Sequence, residues 1–376
     1  MAIISYTVQF GSTFTPSNTL NDVQSVSTNH GRLWQTDPYT PASAIVQSRN
    51  IAAWTTAPKI GDYITIQQTG YVYSGFIKDV AINYGIVASM DTATITCEGP
   101  LSRWGRRQFT SRALAQAGTI SQIMTTATAI GLDTFTYAYG KTGLSTAAAQ
   151  TYVGNGLDLV NTLMTTEIGR VAEVTTTNAV GYYPTSWLRP RNDSSVQAYS
   201  FTDSNPTGAY QMYFDDISFA SAAQNYYTEA TINPLALASQ TSGSGYYNIT
   251  QDSFDYNTSQ ALSHAQYLVA QYNTTQSGPL ILTASYSNQQ TSNARTAFRN
   301  FITDFSSAAG ERVNVTFRGT TYPLVIEGHD LGADLNDTIL TISFSDFDNN
   351  NYLILNDSTF GTLGTSSTYP GNKLGF

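Results

Sequence analysis

Asp346, Asp348, Asn350 and Asp357, within "DFDNNNYLILND", come nearest to a chemical pattern in this chain. They fall at positions 1, 3, 5 and 12 of a calcium-binding loop, whose oxygen ligands converge on a hard cation. That loop needs Gly at position 6 and normally a bidentate Glu at position 12, whereas Asn351 and Asp357 stand there. The flanking runs "TILTISFS" and "YLILND" alternate as strands do. A hairpin with an Asn-rich turn explains the same letters, because Asn tolerates positive φ. These four residues are the candidate metal ligands, and the hairpin is the competing expectation. Asp330, Asp334 and Asp337 in "HDLGADLND" could gather oxygens around a cation, and they equally suit a turn between strands.

Catalysis finds less support. There are three histidines, His30, His264 and His329. His264 lies in a helical pattern with no second ligand four residues away, so a helix-face histidine without metal is expected. His30 precedes Gly31 in an apparent turn, and His329 follows Gly328 at a strand end; neither has the Asp and Ser context of a triad. Asp215 and Asp216 are adjacent, so on a strand they point to opposite faces and cannot pair as acid and base. The single cysteine, Cys97, sits in "TATITCEGPL" without a cationic neighbour and is expected to be a small core residue. No GxSxG, HExxH, phosphate-binding loop or dinucleotide fingerprint occurs. No catalytic residue and no cofactor is expected. Tyr182, Tyr183 and Trp187 in "GYYPTSWLRP" are candidate ligand contacts, able to stack on sugar faces, although packing and subunit contact use the same residue types.

The composition points toward assembly. Only 11% of the 376 residues are charged, against about 25% in ordinary globular domains. Hydrophobic residues make up 41%, which excludes a disordered chain. Polar uncharged residues and 25 tyrosines take the place of charge. Such a surface has little like-charge repulsion and suits a protein covered by neighbours. The net charge of −9 argues against holding a nucleic-acid backbone. Arg103, Arg106, Arg107 and Arg112, interleaved with Trp104 and Phe109, run the other way. In so acidic a chain they are expected to pair with acidic neighbours at a strand end. "MAIISYTVQF" lacks a basic region and a long apolar run, so a secretory signal is not expected, and neither is a membrane span.

Periodicity then locates the elements. "SAIVQSRN", "GDYITIQQTGYVYSGFIKDVAINYG" and "DTATITCEGPL" predict strands, with Ala93, Ile95 and Cys97 on one face. The spacing predicts helices over 119–130, 156–167 and 259–272, with Gly131 closing the first and Ser259 capping the third. From Leu280 onward the expectation is β again. The fold class expected is mainly β with a helical middle: an N-terminal β-barrel-like domain at 1–107, an α+β region at 108–279, a C-terminal β-barrel-like domain at 280–357 and an arm at 358–376.

The order of these features resembles the minor tail proteins of long-tailed phages of actinobacteria, and more distantly the baseplate hub proteins of phage tails. The stretches that carry the resemblance are "STNHGRLWQTDPYTPASAIVQSRN", the Gly-punctuated hairpin "GDYITIQQTGYVYSGFIKDV", the helix in "GNGLDLVNTLMTTEIGRVAEV" and the helix "SFDYNTSQALSHAQYLVAQYNT". It covers about residues 20 to 355. The resemblance implies two small barrels flanking the helical segment and a virion protein of the tail tip, assembled in the bacterial host cytoplasm. It implies a ring, most simply a homotrimer. The implied partners are distal tail, tape-measure and fibre or spike proteins, with DNA passing through the lumen without specific binding. A carbohydrate- or receptor-binding tail protein is the alternative expectation, and a cell-wall-degrading enzyme a third.

Overall fold

Alternation decides most of the strands. In Thr92–Glu98 the residues Ala93, Ile95 and Cys97 are buried, while Thr92, Thr94 and Thr96 are partly exposed. β-Branched residues on a pleated, half-buried surface favour this state. The computed structural model describes residues 5–13, 15–68, 70–131, 135–137, 143, 145–178, 181–189, 198–219, 226–273, 278–303 and 307–347. The expected arm at 358–376 and the strand in "YLILND" lie outside them. Among the described residues no helix is long and apolar enough to cross a membrane.

The N-terminal strands lie in the spatial order Val23–Gly31, Ser43–Arg49, Thr92–Glu98, Tyr71–Asn83, Tyr63–Gln67, Thr7–Gly11, with Asn18–Thr19 at the edge. The C-terminal strands are Ile281–Ser285, Arg312–Phe317, Thr320–Ala333 and Thr338–Asp346. Tyr199–Thr202 and Gln211–Tyr213 extend them in parallel beside Arg312–Phe317, and Asp216–Ser218 pairs with Ile281–Ser285.

Two separate barrels were the expectation, and no barrel closes among the described strands. The two β regions continue instead as one sheet of 14 strands. The physical reason is the long strand Thr320–Ala333. Its first residues, up to Val325, pair with Arg312–Phe317. From Gly328 to Ala333 it pairs with Val23–Gly31 of the N-terminal region, while Thr338–Asp346 takes its other side. An edge already occupied cannot close a ring of strands. One hydrophobic core follows the sheet, from Val8, Phe10, Ile64 and Ile95 through to Phe201, Phe298, Phe301, Ile326 and Phe344.

Five helices are present among the described residues: α1 Leu101–Gly105, α2 Thr119–Ile130, α3 Gly156–Glu167, α4 Thr258–Tyr272 and α5 Ser292–Thr303. α2, α3 and α4 fall where the periodicity puts them. Gly131 closes α2 in the left-handed region at φ 73°. α4 starts one residue earlier than expected, and its cap is Asn257, not Ser259. Asn257 Oδ1 accepts the N–H of Gln260 at 2.8 Å. α1 and α5 were not anticipated. α1, α2 and α3 bury Leu101, Trp104, Ile120, Ile123, Leu159, Leu163 and Met164 in a second core. α4 packs Ala261, Ala265 and Leu268 on a separate three-stranded sheet centred on Glu229–Pro234.

Asn155 caps α3. Its Oδ1 accepts the N–H of Leu157 at 2.7 Å, and its amide donates to the carbonyl of Gly105 on α1. Asn155→Ala is expected to lower stability by about 1 kcal/mol, the usual cost of a lost N-cap. A change below about 0.3 kcal/mol in urea unfolding would show that α3 does not depend on this cap.

Candidate functional site

The junction of the two β regions is where side-chain chemistry concentrates. Val23–Gly31 meets Thr320–Ala333 in the register Gly31 to Gly328, His30 to His329 and Asn29 to Asp330. The facing glycines are required. A Cβ on Gly31, at φ +81°, would stand 2.3 Å from the Glu327 carbonyl oxygen and 2.7 Å from Gly328 Cα. A Cβ on Gly328 would meet the His30 and Arg32 carbonyls at 2.6 and 2.7 Å. Only glycine lets the two backbones come this close.

A bulge between Ile326 and Gly328 leaves Glu327 as the extra residue. Its side chain is 0% exposed and accepts from three directions. Arg32 Nε reaches Oε2 at 3.0 Å; Arg170 reaches Oε1 through Nε at 3.0 Å and a terminal nitrogen at 2.7 Å; Ser345 Oγ donates to Oε1 at 2.6 Å. Burial alone would raise the Glu327 pKa. The charges of Arg170 and Arg32 and the hydrogen bonds outweigh it and hold the carboxyl below its ordinary value. Arg32 also donates to the Asp37 carbonyl at 3.1 Å and lies 4.3 Å from the Tyr39 ring centre. One carboxylate thus ties the N-terminal β region, the middle of the chain and the C-terminal strands together.

Beside it the rings of His30 and His329 stack, 4.7 Å between centres and 18° between planes. Tyr73 meets His30 edge-on at 5.7 Å. Sequence reasoning placed these histidines in an apparent turn and at a strand end. The register that joins them is a long-range pairing, and no local signal carried it.

The other singled-out residues are dispersed. Cys97 is buried in the core, and burial pushes its thiol pKa up. His264 is buried on α4, with Nδ1 3.6 Å from Asp255 Oδ2. Asp334 Oδ1 accepts the N–H groups of Asn336 at 2.7 Å and Asp337 at 3.0 Å, so this stretch is a turn. Of the candidate metal ligands, Asp346 ends a strand and accepts the Gly278 N–H at 3.1 Å. Asp348, Asn350 and Asp357 lie outside the described residues. Among the described residues no cluster of three or more His, Cys, Asp or Glu is arranged to hold a metal. Tyr182, Tyr183 and Trp187 lie on the strand Gly181–Arg189, in register with Thr177, Thr176 and Ala172 of Arg170–Asn178; their side chains lie outside the description. The arginine run stays at the surface: Arg103, partly buried, lies 3.7 Å from the Phe76 ring centre, and the exposed Arg106 pairs with Glu98.

The surface holds one further feature. Tyr71–Asn83 pairs with Tyr63–Gln67 only up to Phe76, and beyond that with Thr92–Glu98 alone. Residues 78–83 therefore present a one-sided strand edge among the described residues. It runs into a tip in which every residue from 81 to 90 is exposed, including Tyr84 at 79%, Ile86 at 100% and Met90 at 64%. The outermost strands of the large sheet, by contrast, are Asn18–Thr19, Gln211–Tyr213 and Asp216–Ser218, too short to template much pairing.

No family model matches the sequence, and no curated protein matches it. Solved structures do share its fold. A tail protein from Neisseria meningitidis MC58 is 10% identical and superimposes with a TM-score of 0.61 over 91% of this chain and 97% of that one. The 43 kDa tail protein of prophage MuSo2 from Shewanella oneidensis is 11% identical, with a TM-score of 0.52 over 91% and 96%. An E. coli component of the type VI secretion system, described as structurally similar to the T4 bacteriophage tail proteins gp27 and gp5, is 11% identical, with a TM-score of 0.52 over 91% and 77%. The chain shares the fold of these tail proteins. In particular, it spans nearly the whole length of both tail proteins, so the resemblance seen in the order of sequence features is matched by the fold.

Proposed function

We propose that this chain is a structural subunit of a phage tail tip, a hub-type protein that closes into a homotrimeric ring between the tail tube and the distal host-contacting parts. The observation that carries it is the one-sided edge at residues 78–83 with its exposed apolar tip. An unpaired edge is a template for another strand, and Ile82, Tyr84, Ile86, Val87 and Met90 add apolar area that a neighbour would cover. Closure into a ring satisfies such an edge without an open fibre. The low charge of the chain and the tail-protein fold support the same reading. The N-terminal region to residue 107 and the region 280–357 then alternate around a lumen through which DNA passes unbound, as an acidic chain favours. No residue is assigned a catalytic role and no cofactor is required.

The test is symmetry and mass. Particles are expected to show a threefold ring of this chain, and the purified protein a trimer in light scattering. The double variant Tyr84→Ser, Ile86→Asp is expected to be a folded monomer. A sixfold ring or a single axial copy would place the chain in a different tier of the tail, and a trimer untouched by the double variant would put the contact elsewhere.

A further inference from the structure

Behind the stacked histidines lies a cavity of about 40 Å³, lined by His30, Tyr73, Glu173, Ser307 and His329 among others. That is room for one or two waters. His30 Nε2, His329 Nδ1 and Tyr73 Oη are all sealed from solvent and make no hydrogen bond to the protein. Three unpartnered polar atoms surround one small cavity within the pairing of Val23–Gly31 with Thr320–Ala333, and a charged imidazole there costs more than a neutral one.

We propose that this seam is an acid-sensitive latch: the neutral His30–His329 stack holds the N-terminal β region to the C-terminal one, and protonation of the pair releases that strand pairing. Two imidazolium rings stacked face to face would repel, in a place with little water to screen them. The other groups facing the pair are few. Tyr73 comes from Tyr71–Asn83, with Cys97 and Glu98 behind it, and Glu173 comes from Arg170–Asn178. Asp330 follows His329 and accepts a hydrogen bond from Asn29. The carbonyls of Val72 and Glu173 face His30, and that of Ser307 faces His329. The Glu173 carboxylate is occupied by the N–H groups of Ala42 and Leu101, so it does not pair with either ring.

Burial, with the neighbouring His329, holds His30 well below its ordinary 6.5, and burial lowers His329 to about 4. The unfolded chain then binds more protons than the folded one below about pH 6.5, so stability falls as pH drops toward about 4. Each histidine contributes up to about a tenfold rise in the unfolding constant per pH unit in that window. Glu173 works the other way. Burial raises it to about 7, so its contribution is lost as pH rises through that value. A difference measurement removes it.

The experiment compares the full chain with the double variant His30→Phe, His329→Phe, which keeps two stacked rings and removes the charge. Urea unfolding from pH 7.5 to pH 4 is expected to diverge below about pH 6.5, with the parent destabilised relative to the variant. Parallel pH profiles would overturn the latch. Hydrogen exchange on the unmodified chain, normalised for intrinsic rates, gives a second test that needs no variant. Amides of Val23–Gly31 facing Thr320–Ala333 are expected to lose protection near pH 4.5 while those of Thr92–Glu98 keep it. Simultaneous loss in all strands, or an intact seam with both histidines titrating near 6.5, would overturn the proposal.

Discussion

Glu327→Ala is expected to cost about 3–5 kcal/mol of stability, measured by urea unfolding at neutral pH. The figure follows from what is left behind. Arg32 and Arg170 are 8% and 15% exposed and would lose the carboxylate that neutralises both. A guanidinium that cannot return to water carries its desolvation cost without its partner, which is why breaking a buried pair is worse than never having it. The replacement of all three, Arg32→Met, Arg170→Met and Glu327→Leu, is accordingly expected to cost less than Glu327→Ala alone. The sign with pH is also fixed. The carboxyl is held below its ordinary value, so its contribution is full above that value and is lost as pH falls through the folded one. Glu327→Gln should therefore flatten part of the acid limb of the stability curve. A loss under about 1 kcal/mol for Glu327→Ala would show that the arginines find other acceptors and that the junction does not depend on this residue.

What could be read in advance divides by distance along the chain. α2, α3 and α4 were legible because the signal for a helix is local: an apolar stripe at 3.6-residue spacing and a glycine in the left-handed region after α2. The strand Thr92–Glu98 was legible for the same reason, its alternation surviving intact as burial. The junction was not legible. Arg32, Arg170 and Glu327 come from three remote segments, and nothing near Glu327 in "YPLVIEGHD" announces a bulge. Nor could alternation show that Thr320–Ala333 would hand over from one partner to another at that bulge, which is what turns two expected barrels into one sheet. The resemblance to tail proteins did better than any single motif because order and spacing summarise many such long-range pairings at once. The candidate site fared worst. His30 and His329 looked like two isolated residues, and their meaning lies entirely in the register that pairs them.

Phe301→Ala is expected to be comparably severe, about 3–5 kcal/mol, by the usual cost of removing a fully buried aromatic ring. α5 was missed in a segment expected to be β, although Ala294, Ala297, Phe298, Phe301 and Ile302 recur at helical spacing. The arginines at 295 and 299 obscured the stripe, and "LILTASYS" just before it suggested continued strands. Thr291 starts the helix: its Oγ1 accepts the Ala294 N–H at 3.1 Å. The stripe is buried throughout. Phe301 itself meets Tyr199 and Phe201 edge-on at 5.3 and 5.4 Å, on the strand that runs parallel to Arg312–Phe317. Removing the ring therefore opens a cavity at the point where α5, the middle of the chain and the C-terminal strands share one core, and the two facing rings cannot both relax into it. Phe301→Leu keeps most of the volume and should cost clearly less. Arg299→Ala, on the outward side of the same helix, should change stability by no more than about 0.5 kcal/mol. The contrast between the two faces is the decisive measurement. Equal, small effects at 299 and 301 would mean that α5 does not pack on Tyr199 and Phe201, and the single core running from Val8 to Phe344 would lose its central support.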